Sequence, residues 1–136
     1  MREIFFRGKG THGFARGKWI YGNYAKDFWG EQHKGFGIHP KEGGYSEVDP
    51  ETVGQYTGLT DKNGKKIFEG DIVILTLQDC VEVGVIVWCD TDYRYKFVSP
   101  DGTAYGFDNT CEFEVIGNIH DNPELLKRGV NNEKIF

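Results

Sequence analysis

The chain has 136 residues, 38% of them hydrophobic and 15% aromatic, with 19 glycines and a formal net charge of -5. That length favours one compact domain or two small lobes, and a folded chain of this size hides roughly two-thirds of the surface it exposes when unfolded, so neither disulfides nor a metal are needed for folding. The aromatic content excludes a disordered chain, and the apolar run at 72–77 is far too short to cross a bilayer.

At the start, Glu3 and Arg7 close off only Ile4, Phe5 and Phe6. Such a stretch is no signal-peptide core, so the cytoplasm is the expected compartment and no membrane is expected as partner. Strand candidates follow at 3–7, 18–24, 36–39 and 52–58, joined by glycine-rich loops at 8–17 and 28–35. Asp49-Pro50-Glu51-Thr52 combines an N-capping carboxylate with proline at the first helical position, enough for a single turn before Gly54.

The second half divides at its turns. Asn63-Gly64 predicts a two-residue type I′ hairpin tip, because both central residues of that turn need positive φ. Five strands are then predicted at 72–77, 81–89, 93–99, 103–107 and 112–119, the second alternating Val81, Val83, Val85 and Val87 with Glu82, Gly84, Ile86 and Trp88. In Ser99-Pro100-Asp101-Gly102-Thr103 the proline presets the first central φ and the glycine supplies the left-handed residue. Strands this short invite aggregation at free edges, so closure into a small barrel over 65–119 is expected. Asn122-Pro123 caps a short helix at 123–128, and the tail at 130–136 should fray. The expected fold is all-β, with an N-terminal β lobe at 1–58 and a barrel with a terminal helical turn at 59–136.

Chemistry-bearing motifs are few. Gly8, Gly10 and Gly13 have the spacing of a dinucleotide-binding loop, but Gly17 interrupts the helix that would have to follow, so a strand-to-strand loop is the reading. Cys80, Cys89, Cys111 and His120 lack the close ligand pairs of a zinc knuckle; the three cysteines are expected to be reduced, half-buried strand residues. His12, His33 and His39 read as loop histidines, and Cys111 as an inert thiol. Glu69-Gly70-Asp71 is expected to shape a turn, and Asp90, Asp92 and Asp101 to be solvated, since no calcium-loop pattern surrounds them. No cofactor, metal or catalytic set is expected.

Charge is uneven along the chain. Residues 1–41 carry eight Lys/Arg against three acids, a net of +5, whereas residues 79–114 carry eight carboxylates against Arg94 and Lys96, a net of -6. The basic stretch is interleaved with aromatics, as in single-strand binders that stack bases and track phosphates. Arg7, Lys9, Arg16, Lys18, Trp19 and Trp29 are therefore the candidate contacts for nucleic acid or another partner.

Ordered blocks spanning residues 2–126 also resemble a known family. Val48-Asp49-Pro50-Glu51-Thr52-Val53-Gly54-Gln55-Tyr56-Thr57-Gly58-Leu59, then Asp61-Lys62-Asn63-Gly64-Lys65 and Ile67-Phe68-Glu69-Gly70-Asp71-Ile72-Val73, are similar to the YopX family of phage and prophage proteins. Its opening resembles 2–8 and 19–22, and its close 114–126; the stretch between Asp27 and Ser46, with Trp29, His33 and His39, departs from it. The resemblance implies an SH3-like form for the C-terminal barrel and implies no reaction. The expectation is a phage or prophage accessory protein, not an enzyme, that binds a phage or host protein or assembles into a homo-oligomer. The alternatives are a nucleic-acid-binding module on the basic lobe and, third, an enzyme.

Overall fold

The computed structural model describes residues 4–26, 36–40, 43–108 and 110–126. The chain forms two compact units, Met1–Tyr56 and Thr57–Phe136. All-β is the observed class, with two antiparallel sheets.

The first unit contains β1 (Phe6–Lys9), a 3-10 turn (Gly13–Ala15), β2 (Trp19–Lys26), β3 (Phe36–His39), β4 (Ser46–Val48), a second 3-10 turn (Pro50–Thr52) and the start of β5 (Gly54–Thr60). Its strands follow the order β4-β3-β2-β1-β5. The outer edge of β1 is shared. Phe6 and Arg7 pair with Gln55 and Gly54 of β5, and just beyond the strand Gly10 bridges Val48 of β4. The Thr11 N–H to Glu47 carbonyl bond (3.1 Å) and the Asp49 N–H to Lys9 carbonyl bond (2.9 Å) complete that return. β4 thus leaves no long free edge of the kind that templates aggregation. Ile38 of β3 and Val48 of β4 are fully buried.

The expected Asp49-Pro50 turn is present and holds β1 in place. Asp49 accepts the Glu51 N–H at 3.0 Å, and the Thr52 hydroxyl donates to the Asp49 carbonyl at 2.6 Å while accepting the Lys9 N–H at 2.8 Å. A buried Thr52 is therefore satisfied on both sides of its hydroxyl.

The second unit contains the rest of β5, then β6 (Lys66–Phe68), β7 (Asp71–Thr76), β8 (Val81–Cys89), β9 (Arg94–Val98), β10 (Ala104–Gly106) and β11 (Glu112–Asn118). All five strands expected after residue 70 are present, in the order β10-β9-β8-β7-β11: a four-strand meander from β7 to β10, followed by β11, which returns beside β7. Ile116 is the extra residue of a bulge in the β7–β11 ladder, between Val115 opposite Val73 and Gly117 opposite Ile72. Ile67, Val73, Leu75, Ile86, Tyr95, Phe97 and Phe113 form the core. On β8 the face bearing Gly84 and Ile86 lies against this core, while Val85 and Val87 are half-buried.

Two hairpin turns share one design, and one of them corrects the expected geometry. Asn63 does not have positive φ; only Gly64 does, at 84°. Asp61 exchanges backbone bonds with Lys65 (2.7 Å, Asp61 N–H donating) and Gly64 (2.9 Å), and its carboxylate accepts the Asn63 and Lys65 N–H groups, each at 2.9 Å. This is a three-residue hairpin loop in which a tight turn is closed by one left-handed glycine. The side-chain bond from Asp61 to Asn63 fixes the turn, so the I′ form that Asn-Gly alone favours is not adopted.

Ser99 to Thr103 repeats the arrangement as expected, with Gly102 at φ 92° and its N–H on the Ser99 carbonyl at 2.9 Å. Asp101 accepts the Ser99 hydroxyl and, at 2.8 Å, the Thr103 N–H. Those donors, the Ser99 hydroxyl foremost, hold the Asp101 carboxyl down to a pKa of about 2. A carbon-detected NMR titration is expected to find that midpoint, and Ser99→Ala should move it upward; an ordinary carboxylate midpoint in the parent protein would refute the assignment.

Other expectations meet the structure in part. Asp71 is buried and accepts the Phe68 N–H at 2.8 Å, the turn-shaping role read from Glu69-Gly70-Asp71. Cys89 and Cys111 are half-buried, but Cys80 is exposed, because it stands in the short turn between β7 and β8 rather than within a strand. β4 and β6 were not expected. Helix begins at residues 124–126, with the Leu125 N–H on the Asn122 carbonyl at 3.0 Å; the remainder of the expected helix, the tail, and the 28–35 loop lie outside the described residues.

Candidate partner-binding site

The candidate contacts do not all reach solvent. Arg7 and Lys9 stand on one face of β1, and the antiparallel register sets Trp19 opposite Lys9 and diagonal to Arg7. The Arg7 guanidinium lies 4.6 Å from the centre of the Trp19 ring, the Lys9 ammonium 5.5 Å from it. These are cation–π distances. Arg7 is 6% exposed and Trp19 half-buried, so the structure brings Arg7, Lys9 and Trp19 together as a stacked cluster. Arg16 and Lys18 are exposed on the loop between β1 and β2, and Trp29 lies outside the described residues.

That loop carries the residue that the candidate set omitted. The Gly10 N–H reaches the Lys18 carbonyl, the Gly17 N–H the Gly10 carbonyl and the Lys18 N–H the Ala15 carbonyl, each at 2.9 Å. The Arg16 Nε–H donates to the Thr11 carbonyl at 3.3 Å. At the tip of this tied loop Phe14 is 98% exposed. The sequence held a cue: an aromatic residue beside Gly13 in a loop closed by Gly17 has little chain with which to bury itself.

The charge pattern also changes once the fold groups the residues. The complete first unit holds eight Lys/Arg against seven Asp/Glu, because Glu42, Glu47, Asp49 and Glu51 belong to the same unit as the cations. Glu47 stands 3.6 Å from the His12 ring. The second unit holds eight Lys/Arg against fourteen Asp/Glu and remains acidic.

Within the second unit lies a groove of about 580 Å³, bounded by Leu59, Asp61, Lys62, Asp108, Glu112 and Phe113. Its volume is in the range of small-ligand sites, roughly 300–1,000 Å³. One wall is the Asp61–Lys62 corner, which caps the outer edge of β11: the Lys62 N–H donates to the Phe113 carbonyl at 2.9 Å, and the Asp61 carboxylate accepts the Val115 N–H at 3.0 Å. Lys62 pairs with Glu114 at 3.3 Å. Asp108 is held by the Thr110 hydroxyl and then its backbone N–H, which keep its carboxyl below the usual range and charged at neutral pH. Leu59 and Phe113 thus line the groove together with three carboxylates, Asp61, Asp108 and Glu112, against one cation, Lys62. Among the described residues no group of three or more His, Cys, Asp or Glu is placed to hold a metal ion.

The family model of the YopX protein matches residues 15–127, more than four-fifths of the sequence. The chain belongs to the YopX protein family. The matched stretch takes in Arg16, Lys18, Trp19 and the whole groove just described, and leaves Arg7, Lys9 and Phe14 outside it. Among solved structures, the chain is similar to the crystal structure of protein EF1440 from Enterococcus faecalis, at 24% identity and a TM-score of 0.51, covering 93% of this chain and 99% of that one. At that identity the likeness shows a shared fold. No curated protein matches.

Proposed function

We propose that this YopX-family chain is a phage or prophage accessory protein that works by protein contact, its own copies included, rather than by catalysis, with an SH3-like C-terminal unit as its scaffold. The observation that carries this reading is Phe14, almost fully exposed on a loop whose backbone is tied at its neck and flanked by Arg16 and Lys18. Burying a phenylalanine side chain is worth about 1.5–3 kcal/mol, and aromatic anchors beside arginine dominate protein interfaces. A pre-tied loop also loses less entropy on docking than a free one.

Nucleic acid is less well supported. Arg7 and Lys9 already lie against Trp19, and the first unit's cations are nearly balanced by its own carboxylates. Sedimentation velocity from micromolar to hundreds of micromolar is expected to show a mass that rises with concentration and falls with salt. A monomer throughout that range would remove self-association. Mixed-sequence single-stranded DNA and RNA are expected not to bind at low salt; binding that weakens steeply with salt would replace protein contact with nucleic acid.

A further inference from the structure

Building on the protein-contact reading, we infer that the occupant of the acidic groove is a second copy of this chain, which inserts its Phe14 loop. Three features of the loop answer three features of the groove. Phe14 offers a single large apolar side chain, and the groove, lined in part by Leu59 and Phe113, encloses about 580 Å³, room for the ring and its neighbours. Arg16 and Lys18 flank the ring as exposed cations, and Asp108 and Glu112 are exposed residues of the groove lining. The loop is preorganised by its own backbone bonds, and the groove by the Asp61–Lys62 corner and the Asp108–Thr110 bonds, so neither side must be built on contact.

The two surfaces belong to different parts of the chain, so the contact is heterologous: the loop of one copy meets the groove of the next, and an open assembly retains one unused loop at one end and one unused groove at the other until it closes. Opposite charge steers the encounter and makes it salt-sensitive, while the buried ring sets how long it lasts.

The test uses two variants of the full chain. Phe14→Ala removes the anchor and leaves the groove; the double substitution Thr60→Arg with Glu112→Arg, at two residues that line the groove, fills and recharges it and leaves the loop. All three side chains are exposed, so melting temperatures close to the parent's should verify that both variants fold. In sedimentation velocity each variant alone is expected to associate at least about tenfold more weakly than the parent, the loss that one well-buried aromatic side chain carries. An equimolar mixture of the two is expected to form a 1:1 heterodimer and stop there, because only one intact loop and one intact groove remain to meet.

Parent-like association of either variant alone, or a mixture no better associated than its components, would overturn the loop-in-groove contact while leaving protein binding in place. A parent chain that stays monomeric would instead remove self-assembly itself, so the two failures are distinguishable.

Discussion

Gly84→Ala is expected to destabilise the second unit by about 3 kcal/mol or more, at the upper end of what overpacking a core costs. Gly84 lies in β8 opposite Val73, and a Cβ there would stand 2.5 Å from the Val98 carbonyl oxygen and 2.6 Å from Cζ of Phe97. Neither neighbour can yield easily. The carbonyl belongs to β9, whose ladder to β8 sets Val98 opposite Val85 and Phe97 opposite Ile86, so moving it opens the sheet. The Phe97 ring is wholly buried and packs 5.7 Å from the Tyr105 ring and 6.1 Å from the Phe113 ring, so turning it displaces the core. For a unit of this size that cost lowers the melting temperature by roughly 10–20 °C. Gly106→Ala is the control: it is also a strand glycine, no atom lies within 4 Å of its Cβ position, and its φ is not positive, so it should stay within about 0.5 kcal/mol of the parent. A Gly84→Ala protein melting within a few degrees of that control would refute the close-packing argument.

What could be read from the sequence, and what could not, follows the range of the interactions involved. The strands from β7 to β11 were legible because each of the turns between them is specified by its own few residues, Pro100-Asp101-Gly102 being the clearest. The one-turn helix at Asp49-Pro50 was legible for the same reason. β4 and β6 are three residues each, too short for periodicity to register, and their pairing comes from partners elsewhere in the chain. Arg7 looked like one more surface cation; its burial depends on a register that brings Trp19 across from Lys9, which no local pattern encodes. The groove joins Leu59 and Asp61 to Asp108 and Glu112 across some fifty residues of chain, so its acidic lining could be seen only as an undifferentiated run of negative charge. At the Asp61 turn a local rule was present but incomplete, because Asn-Gly favours one turn type and the preceding aspartate selects another.

That aspartate carries the other large expected effect. Asp61 is 7% exposed, yet its carboxylate accepts three backbone N–H groups, from Asn63, Lys65 and Val115. Asp61→Asn keeps an oxygen for the turn but presents an amide N–H to the Val115 N–H, two donors face to face on the buried edge of β11. Losing a charge-assisted bond and stranding a donor costs about 2–3 kcal/mol at neutral pH. Burial pushes the Asp61 carboxyl up, but the N–H groups of Val115, Lys65 and Asn63, with the Lys65 charge, outweigh it and hold the folded-state pKa below the ordinary value. The sign of the pH dependence follows. A carboxyl that ionises more readily folded than unfolded contributes its full stability above the unfolded value of about 3.9, and loses it as pH falls through the lower folded value. Other carboxylates, Asp101 and Asp108 among them, are also depressed and will weaken the parent in acid, so the informative quantity is the difference between parent and variant. In urea titrations that difference should be constant from neutral pH down to about 5 and shrink below about 4, as the parent's own Asp61 becomes protonated. A gap that persists undiminished into strong acid would mean that the ionised carboxylate is not what holds the β11 edge, and that the variant's loss comes from packing alone.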